Sequence, residues 1–154
     1  MREILFRGKR VDNGQWIYGY YIKATHHWHN HGIHEDWIAT DTVQNGGWCN
    51  VRGKYAVIPE TVGQYTGLTT NGKKIFEGDV LKIAKLFDST GTYYFPPLNY
   101  PVNVVVKWDM CAWMWETLCE DKRYIGFPEA WCHYECEVIG NIHDNKLEDF
   151  ENGC

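Results

Sequence analysis

The stretch from Thr61 to Leu81, TVGQYTGLTTNGKKIFEGDVL, restricts the possible folds of this chain more than any other segment. It sets short runs rich in β-branched and aromatic residues between turn signals, a pattern typical of β-strands. The dipeptide Asn71-Gly72 predicts a hairpin turn, because both residues tolerate the positive φ angles that tight turns require. A second bend is predicted at Glu77-Gly78-Asp79. The stretch therefore predicts strand, turn, strand, bend and strand.

The same alternation of short strands and turns continues along the chain. Further strands are expected at Ile4–Arg10, Trp16–Ile22, Lys54–Ile58, Val102–Trp108 and Glu137–Ile142, and a short terminal helix is expected at Asp144–Phe150. With 154 residues the chain suits a single domain, 1–154. We predict a mainly β fold, α+β at most: a small SH3-like or partly open barrel or curled sheet, with an added hairpin and a short C-terminal helix.

Three pieces of the central stretch resemble the YopX family, small proteins encoded mostly by phages and prophages. The pieces are Thr61–Leu68, Asn71–Lys73 and Ile75–Val80, where the family pattern has T-V-G-Q-Y-T-G-L, N-G-K and I-[FY]-E-G-D-[IV]. The motif residues are Gly63, Gln64, Tyr65, Gly67, Asn71, Gly72, Glu77, Gly78 and Asp79. We expect them to be structural, because the resemblance implies no established activity and transfers no catalytic residue.

Two further segments agree with this resemblance. Phe6–Lys9 followed by Asn13–Gly19 is similar to the family's N-terminal hairpin, and Glu137–Asn145 is similar to its C-terminal signature. The resemblance does not extend over residues 24–50 or over most of residues 86–135. The family usually has a proline after the last asparagine of the signature, where this chain has Lys146, so the start of the final helix departs from the pattern.

Aromatic residues are unusually frequent in this chain, with 8 Trp, 10 Tyr and 6 Phe. They fit either an aromatic core or an exposed binding face. In the second predicted strand Trp16, Tyr18 and Tyr20 share one face, because side chains alternate along a strand. The basic cluster within Arg7–Arg10 is expected to be solvated surface. The formal charge of −5 argues against a sequence-independent binder of duplex DNA, but not against a single-strand surface built on stacking.

Side chains capable of chemistry occur, but they form no catalytic pattern that the sequence makes evident. Glu77 and Asp79 could be an acid/base pair; a turn whose Asp side chain bonds backbone amides is the preferred interpretation. Cys132 and Cys136 are four residues apart, so on a helix both thiols could reach one metal ion. We instead expect all six cysteines to be free, since the chain has no export signal and no dense cysteine framework.

The segment 25–36, THHWHNHGIHED, holds five of the seven histidines. His27, His29 and His31 alternate, so a strand would place them on one face with neighbours about 6.6 Å apart, and His34 could complete a metal site. The segment also lies outside the family pattern, which favours an inserted surface loop. We expect the loop, with adventitious affinity for zinc or nickel and no bound cofactor.

These observations favour a non-catalytic, phage- or prophage-encoded binding module in the cytoplasm of a bacterial host. Its expected partner is a protein of the host or the phage, or a second copy of the chain. The alternatives are a metal-binding protein or metal-dependent enzyme that uses the His-rich segment, and a single-stranded nucleic-acid binder that uses an aromatic barrel face. An enzyme is the less favoured class. No apolar run of 18 or more residues occurs, so no membrane partner is expected.

Overall fold

The structure, a computed structural model, describes residues 3–28, 31–46, 49–86, 101–109, 111–118, 124–126 and 134–153. The chain groups into two compact units, Met1–Gly67 and Leu68–Cys154, and we describe each by itself. The prediction of one domain over residues 1–154 stays a prediction.

The first unit is an antiparallel sheet with the strand order β4-β3-β2-β1-β5. Its strands are β1 (Phe6–Lys9), β2 (Trp16–Trp28), β3 (His31–Gly46), β4 (Cys49–Ala56) and β5 (Gly63–Thr70), whose last residues belong to the second unit. A short 3-10 helix, Pro59–Thr61, precedes β5 and begins with proline, which is tolerated there because the first turn needs no N–H partner. The predicted N-terminal hairpin is confirmed as β1 and β2.

The core of the first unit forms where small residues let neighbouring strands approach closely. Ile38 and Val57 are buried there. A side chain at Gly19 would place its Cβ 2.1 Å from the carbonyl oxygen of Ala39, so this position requires glycine. A Cβ at Gly8 would lie 3.1 Å from the Cβ of Val57. The glycines therefore allow the close packing on which this core depends.

The His-rich segment belongs to the sheet, and the expectation of an inserted loop is wrong. β2 extends to Trp28 and β3 begins at His31, with His27 opposite Gly32. The ladder between the two strands has no register shift, so backbone pairing continues to the end of the hairpin. His31 therefore does not follow His27 along one strand. His29 lies outside the described residues.

The second unit is built on an antiparallel sheet with the strand order β10-β9-β8-β7-β11. Before this sheet, β6 (Lys73–Phe76) follows the turn at Asn71-Gly72. The strands of the sheet are β7 (Asp79–Leu86), β8 (Val102–Asp109), β9 (Ala112–Thr117), β10 (Tyr124–Gly126) and β11 (Tyr134–Asn141). Asn71 and Gly72 have φ angles of 49° and 76°, so the predicted tight turn is confirmed.

Apolar clusters cover both faces of the sheet in the second unit. Val104 and Val106 of β8 belong to a cluster on one face that also contains the buried Trp115. Val105 points the opposite way and packs with Phe150, which lies in a terminal 3-10 helix spanning Leu147–Gly153. Burial on both faces explains why the centre of β8, Val104–Val106, is a continuous apolar run.

The mainly β prediction is confirmed by both units. The described strands form two antiparallel sheets and do not close into a barrel. The finer prediction of an SH3-like or partly open barrel or curled sheet therefore goes beyond what these strands show. The short terminal helix is present but is of the 3-10 type, and it begins at Leu147 and not at Asp144. Asp144 lies in the preceding turn, where its N–H donates to the carbonyl oxygen of Asn141 at 3.2 Å.

Candidate functional site

The carboxylate of Asp79 lies within the predicted bend and is only 2% exposed. Its Oδ2 accepts a hydrogen bond from the N–H of Phe76 at 2.8 Å, and its Oδ1 accepts one from the side-chain amide of Asn141 at 3.2 Å. Gly78, with φ of 80°, donates its N–H to the carbonyl oxygen of Val106 at 2.9 Å. Both carboxylate oxygens thus bond groups of the protein, which fits the interpretation of a turn whose Asp side chain bonds a backbone amide.

The C-terminal signature meets this bend. The N–H of Ile142 donates to the carbonyl oxygen of Gly78 at 3.0 Å. The Oδ1 of Asn141 accepts from the N–H of His143 at 2.8 Å, and the Oδ1 of Asn145 accepts from the N–H of Asn141 at 3.2 Å. Two segments that carry the family resemblance are therefore joined by hydrogen bonds, and together they hold β7 and β11 at one end of the sheet.

The other motif residues lie on β5 and in the turns beside it. Gly63 and Gln64 pair with β1. The side chain of Tyr65 is buried, and its N–H donates to the carbonyl oxygen of Leu5 at 2.8 Å. Gly67 has a φ of 90°, a conformation that favours glycine. The structure places these residues along a strand of the first unit.

No group of three or more His, Cys, Asp or Glu side chains is arranged to hold a metal ion within the described ranges. Of the candidate histidines, His27, His31 and His34 lie in β2 and β3, where only their backbone is described, and His29 lies outside those ranges. The register sets Thr25 opposite His34. The metal site proposed from the sequence therefore stays a prediction.

Cys136 does not lie on the helix that would bring it onto one face with Cys132. Cys136 lies in β11, a strand, and Cys132 lies outside the described residues. Burial raises the pKa of the Cys136 thiol, and a hydrogen bond with Thr70 opposes this with a smaller, lowering effect on the pKa. Cys136 and the exposed Cys111 are both free, which confirms the free-thiol prediction for these two cysteines.

The strongest candidate for a binding surface lies on one side of the sheet in the first unit. We call it the aromatic face and define it by Trp16, Tyr18 and Tyr20 of β2, Arg7 and Lys9 of β1, and Lys54 of β4. Tyr18 is 49% exposed and Tyr20 is 47% exposed. The strand alternation that predicts a shared face for the three aromatics is therefore matched by open side chains on that face.

Trp16 is held by two cations from the neighbouring strand. The Cζ of Arg7 lies 4.7 Å from the centroid of the Trp16 ring, and the Nζ of Lys9 lies 5.5 Å from it. Register explains both contacts, because Lys9 is opposite Trp16 and Arg7 is opposite Tyr18. Arg7 is only 7% exposed, so the expectation of a solvated basic cluster is wrong for this residue. Lys9 is half-buried and keeps access to solvent.

A second lysine reaches the aromatic face from across the sheet. Tyr20 is opposite Ala39, and Ala39 is opposite Lys54, which is exposed. Neighbouring strands lie about 4.8 Å apart, so two strand spacings separate the backbones of Tyr20 and Lys54 by about 9.6 Å. The face thus offers the half-exposed rings of Tyr18 and Tyr20, with Lys9 on the β1 side and Lys54 on the β4 side. That arrangement can stack planar groups and attract anions.

The sequence predicts part of this face and misses the rest. Alternation alone indicates that Trp16, Tyr18 and Tyr20 lie together. The contact of Arg7 with Trp16 depends on the register of the hairpin between β1 and β2. That register is set by the turn at residues 12–14, so it can be inferred only once the turn is placed. The approach of Lys54 depends on pairing between β3 and β4, and that pairing has no comparable local signal.

The chain matches the sequence profile of a family described as YopX protein over residues 5–148. No curated protein and no solved structure matches the chain. None of the helices in the described part of the chain is long and apolar enough to cross a membrane. The family match contains the central stretch, the N-terminal hairpin and the C-terminal signature.

Proposed function

Because the chain belongs to the YopX family, we propose that it is a non-catalytic binding module, encoded by a phage or prophage and working in the cytoplasm of a bacterial host. The aromatic face is its contact surface. The observation that carries this proposal is the pair Tyr18 and Tyr20, half-exposed side by side on a paired strand. The resemblance to the family supports the phage origin and the bacterial cytoplasm.

The composition of the aromatic face fits a contact surface. Tyr, Trp and Arg are the residue types that most often dominate binding energy, because they bury large areas and also make directed contacts. β2 is paired on both sides, by β1 and by β3. Rings presented on a strand of this kind are pre-organised, so less conformational entropy is lost on binding than from a loop.

The family motif supports a non-catalytic role. Asp79 has both oxygens bonded to protein groups, and its neighbour Glu77 lies in the same bend. Cys136 is buried, and burial raises the pKa of its thiol. The residues of the strongest sequence pattern therefore serve the fold, whereas the aromatic face leaves Tyr18 and Tyr20 about half exposed. The metal alternative at the His-rich segment has no observation in its favour among the described residues.

The proposal is tested by comparing capture on two variants. Wild type, Tyr18→Ala/Tyr20→Ala and Trp108→Ala are immobilised and exposed to host and phage-infected lysates. Trp108 is the matched control, because it is a 52% exposed aromatic of the second unit. Whatever binds is identified, purified and titrated back by calorimetry.

We expect the double variant to bind the purified partner at least about a hundredfold more weakly, because two aromatic anchors each contribute about 1.4 kcal/mol or more. The control variant is expected to bind like wild type. Equal affinity of the double variant and wild type for every purified partner would contradict the proposal, as would the absence of any partner.

A further inference from the structure

We infer that the aromatic face binds single-stranded nucleic acid, an inference that rests on the proposed function and names its ligand. The first step is stacking. Tyr18 and Tyr20 are two residues apart on β2, so their attachment points are separated by about 6.6 Å. Bases that are splayed out from one another stack on aromatic side chains of this kind, and the stacking tolerates any base sequence because every base has a π-face.

The second step is the backbone of the ligand. Lys9 lies on β1 opposite Trp16, with its Nζ 5.5 Å from the centroid of that ring, and Lys54 lies on β4, two strands from Tyr20. Lysines at these positions supply positive charge for phosphates of a strand that runs across the face. Arg7 is buried against Trp16 and fixes that ring. Arg10, next to the face in sequence, forms an ion pair with Asp12. The face therefore combines half-exposed rings with positive side chains on β1 and β4, and aromatic and basic residues are the combination that single-strand binders use.

The charge of −5 does not oppose this assignment, because the acidic residues are concentrated elsewhere. Residues 3–23, which supply β1 and much of β2, contain four basic and two acidic side chains. Residues 134–153 contain one basic and six acidic side chains. β3, which pairs with the other side of β2, adds Glu35, Asp36 and Asp41, so residues 3–56 together contain six basic and five acidic side chains. The excess of negative charge thus lies outside the strands β1 to β4, and screening at physiological salt limits the influence of charges beyond about 8 Å.

Duplex DNA fits this face poorly. Its bases are already stacked and cannot reach the tyrosine rings, and two lysines supply few of the phosphate contacts on which duplex binding depends. A protein partner would use the same tyrosines without needing lysines on both sides. The charge dependence of binding and the preference for single strands therefore separate these ligands.

The experiment measures fluorescence anisotropy of a labelled oligothymidylate of about 15 nucleotides, long enough to fill a typical single-strand site. A duplex of equal length is the competitor. Wild type is compared with Tyr18→Ala, Tyr20→Ala and Tyr18→Phe/Tyr20→Phe, with Trp108→Ala as the exposed aromatic control. Thermal melts of each variant establish that it is folded.

Each alanine variant is expected to weaken binding by about tenfold, because one stacked base is lost. The double phenylalanine variant is expected to bind like wild type, since the phenyl ring keeps the stacking face. Lys9→Gln and Lys54→Gln should each lower the slope of log affinity against log salt by about 0.7, the value for one phosphate contact on a single strand. Lys73→Gln, an exposed lysine of β6, should leave that slope unchanged.

Absence of oligothymidylate binding by wild type, or equal affinity of wild type and both alanine variants, overturns the inference. Preference for the duplex also overturns it. The capture experiment keeps this failure distinct from failure of the proposed function. A nuclease-resistant protein partner that wild type captures and Tyr18→Ala/Tyr20→Ala does not would leave the binding module standing with a different ligand. If wild type captures no partner and binds no oligothymidylate, both proposals are overturned.

Discussion

The two units use the same aromatic residue types in opposite ways. In the first unit Tyr18 and Tyr20 leave about half of their side chains in solvent, on the outer side of a paired strand. In the second unit Trp115 is 1% exposed and Trp113 is also buried, inside a cluster that covers one face of its sheet. The high aromatic content of the chain therefore has two causes. One part builds a core, and the other forms an exposed surface.

The difference follows from what covers each sheet. The second unit packs an apolar cluster against each face, and Phe150 closes one of them. Asn103 fixes this closure by donating from Nδ2 to the carbonyl oxygen of Phe150 at 2.7 Å. The aromatic face in the first unit carries cations and open rings in place of such a cover. Substitutions in the core of the second unit should therefore lower stability, whereas substitutions on the aromatic face of the first unit should lower binding.

The largest effect is expected from Trp115→Ala in the core of the second unit. Removal of a fully buried Trp side chain leaves a cavity and should lower the free energy of unfolding by about 3–5 kcal/mol. Trp108→Ala, at an exposed position of β8, should lower it by less than about 1 kcal/mol. Urea denaturation of both variants measures the gap. Similar losses for the two would show that the second unit does not divide its aromatics into buried and exposed sets.

The next effect is expected from the bend that joins β7 to the C-terminal signature. Asp79→Ala leaves the buried N–H of Phe76 and the amide of Asn141 without their acceptor, so unfolding free energy should fall by about 2–4 kcal/mol. Glu77→Ala, two residues away and only half-buried, should cost less than about 1 kcal/mol. The same denaturation assay decides this, and an equal loss in both variants would point to a role for the bend other than hydrogen bonding through Asp79.

A third prediction concerns the first unit, which has a buried polar pair of its own. Tyr21 donates its hydroxyl hydrogen to Oδ1 of Asp36, whose side chain is buried. Tyr21→Phe removes the donor and should cost about 1–3 kcal/mol at neutral pH. Tyr18→Phe, on the opposite face of the same strand, is the matched control and should be neutral. If both are neutral, the pair does not stabilise the unit.

This pair also predicts a pH dependence. Burial, followed by the hydrogen bond to Asp36 and its negative charge, raises the pKa of Tyr21 to about 12. The folded state therefore holds this proton more tightly than the unfolded state, whose tyrosine pKa is about 10. The resulting stability is complete below pH 10 and is lost as the pH rises through 12. The difference in unfolding free energy between wild type and Tyr21→Phe should shrink over this pH range. If the two plots of unfolding free energy against pH run parallel, the raised pKa of Tyr21 does not contribute to stability.

A smaller effect is expected from the two glycines that turn the central stretch. Gly72 and Gly78 have φ angles of 76° and 80°, so a β-branched side chain should cost about 1–2 kcal/mol in Gly72→Val and in Gly78→Val. Asn71→Gly, which fits the same turn, should change stability by less than about 0.5 kcal/mol. Thermal melts compare the three, and unchanged melting temperatures in both valine variants would sink the turn assignment.

The smallest effect on stability is expected on the aromatic face. Tyr18→Ala and Tyr20→Ala should each change the free energy of unfolding by about 0.5 kcal/mol or less, because half of each side chain is already in solvent. These variants should lose binding and keep the fold. A loss of stability as large as that of Trp115→Ala would show that the tyrosines belong to a core, and the contrast between the two units would disappear.

The parts of the fold that the sequence predicts are those with local signals. Asn71-Gly72 and the N-terminal hairpin are encoded by turn residues close to the strands that they join. The alternation of Trp16, Tyr18 and Tyr20 likewise reports a shared face before any tertiary contact is known. Such features depend on a few neighbouring residues, so one sequence suffices to find them.

The parts that the sequence misses depend on pairing between distant segments. The bond between Asp79 and Asn141 has no local signature, although each residue lies in a segment that resembles the family. The prediction of a loop for the His-rich segment is wrong for a different reason. Histidines have no strong strand preference, and the strand there is an extension of a ladder that begins nearer the core. The position of Lys54 beside the tyrosines likewise follows from two strand pairings and not from its neighbours in sequence.

The position of β11 in its sheet also bears on how fast the second unit folds. β11 pairs with β7 and not with β10, so the sheet cannot be completed by adding hairpins one after another. Asp79 and Asn141 are 62 residues apart, and the entropy of closing that loop is lost before their hydrogen bond forms. Non-local pairing of this kind slows refolding into a range of about milliseconds to seconds. We therefore expect the docking of β11 along β7, after the local hairpins have formed, to limit the rate of refolding.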